Sequence, residues 1–328
     1  MSGATMNLLE VENLHIALST DNGDFPAVEG VSFTIARGET VGLVGESGCG
    51  KSITALAIMG LLRQPLGLAG GKIRLTGKEI QNLPTAELRA LRGKRIAMIF
   101  QEPMTALNPL KTVGRQIAEM FVLHEGAGWG EAERRAVDAL TQVKVPAPER
   151  RAAAYPHELS GGMRQRVMIA IALACAPDLL IADEPTTALD VTVQSEIVDL
   201  MKELCAARGT AILMISHDLG LVTDICKRVC VMYAGRIVEQ QDSEKIFNHP
   251  QHPYTQGLVA SLPRLGMRAR HGRQPLVEIA GVVPGITAYP KGCRFHPRCV
   301  RRTEICETVV PELETLVDGS LVRCHHHG

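Results

Sequence analysis

The sequence predicts an α/β fold with a mainly parallel sheet, and three observations carry that reading. From about residue 160 to 240, short runs rich in Val, Ile and Leu alternate with stretches of helical composition. A glycine-punctuated loop at 45–50 stands between one apolar run and a helical stretch. Hydrophobic residues make up 45% of the 328 but aromatics only 3%, which suits a core of aliphatic side chains. A chain of this length buries a substantial core without staples, so disorder as the main state is excluded.

The elements follow in order. Residues 8–18 and 31–36 read as strands, the second turning at Arg37-Gly38-Glu39 into the apolar strand Thr40–Val44. A helix is expected over Ser52–Leu62. Between about 102 and 158 the texture changes to amphipathic helical windows, Thr112–Leu123 and Glu131–Val143, parted by Gly126-Ala127-Gly128 and followed by Pro146 and Pro148. This reads as a helical insertion. Alternation then resumes: helix Met163–Cys175, strand Leu179–Ala182, helix Thr192–Arg208, strand Ala211–Ile215, helix Leu219–Cys226 and a hairpin over Val229–Gln240 turning at Ala234-Gly235. Beyond 250, seven prolines from Pro250 to Pro297 point to an extended tail whose order needs another source.

Composition removes several function classes. Lys plus Arg (35) balances Asp plus Glu (35), so no basic field exists to hold a nucleic acid. The longest nearly apolar stretch, the 16 residues Val167–Ala182, is broken by Pro177 and Asp178, and no membrane span is expected. The N-terminal stretch carries acid where a signal peptide needs base, which predicts a cytoplasmic chain. In that reducing compartment the nine cysteines read as thiols or metal ligands, with Cys175, Cys205, Cys226 and Cys230 expected as packed core thiols.

Gly45-Glu46-Ser47-Gly48-Cys49-Gly50-Lys51-Ser52 fits G-x-x-x-x-G-K-[ST] between a strand and a helix. The glycines let backbone N–H groups and the helix N-terminus converge on one anion, Lys51 reaches the β and γ phosphates, and the Ser52 hydroxyl joins Mg²⁺. Cys49 is read as a small loop filler. Leu179–Ala182 leads into Asp183-Glu184, and carboxylates at the carboxyl end of a strand stand where open α/β sheets bind ligands. Asp183 offers a hard oxygen to Mg²⁺, and Glu184 can polarise an attacking water. Leu159-Ser160-Gly161-Gly162-Met163 precedes a helix, with Ser160 as N-cap and glycines that leave the backbone open to a second anion.

Together these segments resemble the ATP-binding cassette (ABC) transporter ATPases, with the motifs in that family's order over roughly residues 7–265. Gly45–Ser52 match Walker A, Gln101 the Q-loop, Ser160–Met163 the LSGGQ signature, Asp183 and Glu184 Walker B with its catalytic glutamate, Ala188-Leu189-Asp190 the D-loop, and His217 the switch histidine. The signature departs from the family at Met163, where Gln is usual. The resemblance implies a RecA-like core with an antiparallel β subdomain and a helical subdomain at about 102–158, together spanning 1–262, then an irregular extension over 263–328. It implies that Ser52, Gln101 and Asp183 hold Mg²⁺, that Glu184, Gln101 and His217 act in ATP hydrolysis, and that Phe25 stacks on adenine. ATP would lie between one subunit's Walker A and a second subunit's Ser160, Gly161, Gly162 and Met163, with Asp190 of the D-loop nearby. The second ATPase subunit is expected to be a different chain. Two membrane permeases and, indirectly, an extracytoplasmic binding protein complete the expected assembly on the cytoplasmic face of the inner membrane.

Segments 98–109, 155–170 and 182–194, the HPYTQGL run at 252–258 and Gly281–Gly285 resemble the ATPase subunits of peptide-type importers, with dipeptides or short oligopeptides leading over nickel or glutathione. Cys293, Cys299, Cys306 and Cys324 match the arrangement that some members of this branch use for a 4Fe-4S cluster. Structural zinc usually brings C-x₂-C pairs, which this spacing lacks, and four free thiols are the remaining reading. His325-His326-His327 beside Cys324 offer alternative ligands.

Overall fold

The computed structural model describes residues 7–102, 106–187, 189–262 and 278–328. Ala188 of the expected D-loop, residues 103–105 of the helical insertion and 263–277 of the expected extension lie outside the described residues. Along the chain run β1 (Leu9–Thr20), β2 (Gly23–Ile35), β3 (Thr40–Val44), α1 (Lys51–Ile58), β4 (Leu66–Leu75), β5 (Lys78–Glu79), α2 (Thr85–Leu91) and β6 (Ile96–Ile99). The middle holds α3 (Val113–Glu125), α4 (Trp129–Gln142), α5 (Pro148–Ala152) and α6 (Gly161–Leu173). Then come β7 (Leu179–Asp183), α7 (Val191–Arg208), β8 (Ala211–Ser216), α8 (Leu219–Ile225), β9 (Arg228–Tyr233) and β10 (Arg236–Asp242). The chain finishes with α9 (Ser243–Asn248), α10 (Pro253–Ser261), α11 (Glu304–Thr308), β11 (Glu314–Thr315) and β12 (Leu321–Val322).

The chain divides into two compact units that alternate along the sequence. One comprises residues 1–8, 35–39 and 82–213, the other 9–34, 40–81 and 214–328. In the first, β6 and β7 pair in parallel with Ile96 opposite Leu179 and Ile99 opposite Ala182. Every residue of β7 is buried, as a strand covered on both faces requires. The helices of this unit start and stop where their caps dictate: Thr112 accepts from the Arg115 N–H at α3, and Asp190 accepts from the Val193 N–H at α7. Gly126 and Gly209 end those two helices in the left-handed conformation. Ile117, Phe121, Leu140, Val167, Ile169 and Met201 form its fully or nearly fully buried core.

In the second unit β2-β1-β4-β5 form an antiparallel sheet, and β11-β12-β10-β9-β3 lie in the order given. β3 runs parallel to β9 with Val44 opposite Val231, while β10 returns antiparallel through a tight turn. Ala234 (φ 43°) and Gly235 (φ 82°) both take positive φ there, as a two-residue turn matching strand twist demands. The tail differs from the expectation of an extended chain. Pro253 stands in the first turn of α10, where a missing N–H costs nothing, and Leu321-Val322 adds to the sheet beside Glu239 and Gln240. Strand β4 is not signalled by the sequence as a whole, since Leu66–Leu75 contains three glycines and alternates only over Lys72–Leu75.

Candidate nucleotide site

In the second unit the phosphate loop leaves a buried strand. Val41, Leu43 and Val44 are at most 1% exposed, so β3 delivers Gly45 to a fixed point. Gly45 takes φ 154°, and a Cβ there would stand 2.1 Å from the Met232 carbonyl oxygen. No other residue fits. Gly48 (φ 81°) and Gly50 (φ 104°) turn the loop into α1, whose first residue is Lys51. The Lys51 side chain is folded under the loop: Nζ donates to the Gly45 carbonyl at 2.6 Å and the Glu46 carbonyl at 3.0 Å. Cys49 is fully buried and burial pushes its thiol pKa up, so it fills the loop rather than presenting a thiolate. Ser52 follows in the first turn of α1, partly buried, and Phe25 lies on β2, partly exposed.

The same loop is held from outside by residues the sequence reading did not assign. The Gly235 N–H donates to the Cys49 carbonyl at 2.8 Å. The Glu46 N–H donates to the Tyr254 hydroxyl at 2.9 Å, and the Glu46 carboxylate accepts two bonds from Arg298 at 2.7 and 3.0 Å. Tyr254 belongs to the HPYTQGL run, whose visible signal was family likeness alone. His217 follows β8 and is exposed, while the neighbouring Asp218 caps α8 by accepting from the Leu221 N–H at 3.1 Å.

In the first unit, parallel pairing of β6 with β7 brings the carboxyl ends of both strands to one edge. Gln101 and Glu184 emerge there together, and Gln101 Nε2 donates to the Glu184 carboxylate at 3.2 Å. Thr187 Oγ1 donates to the same carboxylate at 3.0 Å. Glu184 has φ 45°, a conformation that costs a non-glycine residue about 1 kcal/mol or more and turns its side chain away from the strand's run. Asp183, the last residue of β7, is 5% exposed. Ser160 Oγ accepts from the Met163 N–H at 3.4 Å, which makes it the predicted N-cap, and Ser160 and Gly161 face solvent. Gln194 Nε2 donates to the carbonyls of Thr186 and Leu189 at 3.1 Å each, pinning the turn before Asp190.

A second cluster forms in the tail. Cys293, Cys299, Cys306 and Cys324 line one cavity of about 10 Å³ with His252 and His296. Burial pushes the thiols of Cys293 and Cys299 up and that of Cys324 up to about 11. Burial also pushes His252 down to about 3, so its imidazole is neutral. Its Nδ1 accepts from the Tyr254 N–H at 3.0 Å, which puts the proton on Nε2, a buried atom without a hydrogen-bond partner; His296 Nδ1 is buried in the same condition. Among the described residues, no group of three or more His, Cys, Asp or Glu side chains is arranged to hold a metal ion. The four thiols thus converge without forming a ready-made ligand set.

Residues 28–187 match the family model described as ABC transporter, and residues 238–306 the one described as oligopeptide/dipeptide transporter, C-terminal region. The chain is 50% identical over 317 residues to an oligopeptide transport ATP-binding protein of Salmonella typhimurium, covering 97% of this chain and 93% of that one. This chain belongs to the ABC transporter ATP-binding proteins. Another member, a dipeptide transport ATP-binding protein of Escherichia coli, is 46% identical over 321 residues, 98% of this chain and 97% of that protein. The cassette fold agrees. A dimeric ATP-binding cassette solved in a post-hydrolysis state with ADP and Pi superposes with a TM-score of 0.65 at 28% identity, covering 72% of this ABC protein and 98% of that chain. Among the described residues, no helix is long and apolar enough to cross a membrane.

Proposed function

We propose that this chain is the ATP-hydrolysing subunit of an importer for dipeptides or short oligopeptides. Hydrolysis rests on one observation above the others: Glu184 stands at the end of a buried strand with its carboxylate held by Gln101 and Thr187. A carboxylate so oriented accepts a proton from, or aligns, a water attacking a γ-phosphate. Lys51, the N–H groups of Gly48–Ser52 and the start of α1 take up phosphate charge. Ser52, Gln101 and Asp183 would hold Mg²⁺, which when bound neutralises charge shared between the β and γ phosphates. Phe25 packs on adenine and His217 orients the γ-phosphate. Ser160, Gly161, Gly162 and Met163, with Asp190, serve the site of a second, different ATPase subunit, and two permeases on the cytoplasmic face of the inner membrane receive the motion.

The substrate class rests on likeness to proteins named for oligopeptide and dipeptide transport, a likeness that includes the C-terminal region. The assembled transporter in vesicles supplies the test. Parent protein should couple ATP hydrolysis to peptide uptake, and Glu184→Gln should cut hydrolysis by about 10²-fold or more while ATP binding persists. Hydrolysis at the parental rate in that variant would overturn the assignment of Glu184.

For the tail we propose a 4Fe-4S cluster on Cys293, Cys299, Cys306 and Cys324. Four cysteine donors suit it, and the unpartnered His252 Nε2–H offers a hydrogen bond to sulfur. A cavity of about 10 Å³ holds little more than a water, so the thiols must spread to accept a cluster. Anaerobic purification with iron and sulfide analysis tests this: about four irons per chain, lost in Cys306→Ser, supports it, whereas zinc or four titratable thiols rejects it.

A further inference from the structure

The loop that binds phosphate in this reading carries a carboxylate of its own. Glu46 is its second residue, and an anion beside an anion-binding loop repels the ligand unless its charge is cancelled. The structure cancels it from the far end of the chain. The Arg298 guanidinium grips Glu46 through two parallel bonds at 2.7 and 3.0 Å, and the Arg298 side chain is 5% exposed against 32% for Glu46. Its remaining donors are used as well: Nε bonds the Ala280 carbonyl at 2.9 Å and Nη2 the Ile279 carbonyl at 3.1 Å.

A second arginine in the same short segment acts on the other side of the loop. Arg294 Nη1 donates to the Ala234 carbonyl at 2.5 Å and Nη2 binds Glu29, and the adjoining Gly235 N–H is the donor that holds the Cys49 carbonyl. Between the two arginines, Phe295 packs edge-on against Tyr233 with centroids 5.1 Å apart, and tilted against Tyr254 at 5.4 Å. Tyr254 in turn accepts from the Glu46 N–H. The segment 293–299 therefore reaches the loop at Glu46 by charge, at Glu46 N–H through an aromatic stack, and at Cys49 through the hairpin turn.

We propose that Arg298 is a positioning residue for ATP binding: it fixes the phosphate loop through Glu46 and removes the negative charge that would oppose the nucleotide. The proposal rests on the reading of Gly45–Ser52 as an ATP site. Arg298 touches no reacting atom, so its loss weakens nucleotide capture more than the chemical step.

The experiment compares parent, Arg298→Gln, Arg298→Lys, Glu46→Gln and the double variant Glu46→Gln/Arg298→Gln. ATP affinity is read on the purified chain, KM and kcat on the assembled transporter, and amide exchange over residues 45–52. Arg298→Gln should weaken ATP binding about tenfold, equivalent to about 1.4 kcal/mol, raise KM similarly and change kcat by less than about twofold. Amides of the loop should exchange faster. Adding Glu46→Gln should restore much of the affinity, because the uncancelled charge is gone, and Arg298→Lys should fall between. Unchanged affinity and loop exchange in Arg298→Gln overturns the proposal. So does a loss that Glu46→Gln fails to relieve, or, if Arg298→Gln does not fold, a parental profile in Arg298→Lys. Lys51→Ala separates the two readings: if parent and Lys51→Ala bind ATP alike, the ATP site itself is wrong, and loop exchange alone then judges Arg298.

Discussion

The chain has two glycine-bearing segments that read alike as anion sites, and the structure makes them different objects. In Gly45–Ser52 the glycines are conformational: Gly45, Gly48 and Gly50 all have positive φ, and Gly45 is wedged against the Met232 carbonyl. In Ser160–Met163 the glycines are already inside α6 and have ordinary helical dihedrals. What they supply is room, ample at Gly161 and tight at Gly162. A Cβ on Gly161 would meet only Leu189 Cδ2 at 3.5 Å, and one on Gly162 only Val193 Cγ1 at 3.1 Å. The first segment is a closed fixture, tied down by Lys51, Tyr254, Arg298 and Gly235. The second is a helix start whose first residues, Ser160 and Gly161, are exposed and whose Met163 N–H is capped by Ser160. On the proposed reading, a loop that holds an anion by itself needs bracing, whereas a helix end that serves a second subunit needs only clearance.

That contrast is broken or sharpened most strongly at Gly45. Gly45→Ala places a methyl group 2.1 Å from a backbone oxygen at φ 154°, so either β9 shifts or the loop rearranges. ATP binding by the purified chain should weaken by on the order of 100-fold, the equivalent of about 3 kcal/mol of strain, as read by calorimetric titration. The opposite pattern is expected at the signature. Gly161→Arg adds bulk where the backbone is exposed, so the purified chain should bind ATP within about twofold of parent. If this helix end serves a second subunit's nucleotide, as proposed, turnover by the assembled transporter should nonetheless fall by about 10²-fold. Equal losses in both assays would mean that the two segments serve one intramolecular site.

Smaller effects test the cap. Ser160→Ala removes the acceptor for the Met163 N–H and should cost about 1 kcal/mol, a fall in melting temperature of about 1 to 2 °C in a scan of the purified chain. No comparable cap exists at α1: Gly50 precedes it in a left-handed conformation with no side-chain bond.

The legibility of these features in the sequence follows the range of the interactions that make them. β3, β7 and β8 were readable because strands buried on both faces are continuous apolar runs. α3 was readable as an amphipathic window stopped at Gly126, whereas the caps at Thr112 and Asp190 and the left-handed end at Gly209 emerge only in the structure. The hydrogen bond between Gln101 and Glu184 was foreshadowed only by the order of motifs, and it depends on β6 pairing with β7 across 83 residues of sequence separation. The grip of Arg298 on Glu46 spans 252 residues and had no local signature. Nor had β12, two residues long, which gains its place by pairing with β10. Convergence of the four tail cysteines was expected from likeness to the importer branch, while the buried, unpartnered nitrogens of His252 and His296 beside them were not.

The smallest expected effect lies at the one position where the signature departs from its family. Met163 stands where Gln is usual, and its side chain lies on the third residue of α6 while its backbone N–H is engaged by Ser160. If clearance and backbone geometry are what this segment contributes, the side chain matters little, and Met and Gln have closely similar helix propensities. Met163→Gln should therefore leave ATP binding by the chain unchanged and alter transporter turnover by less than about threefold, measured as steady-state phosphate release at saturating ATP. A rise of tenfold would assign the side chain a direct hold on the nucleotide and would make the signature, like the phosphate loop, a site built by side chains as well as by backbone.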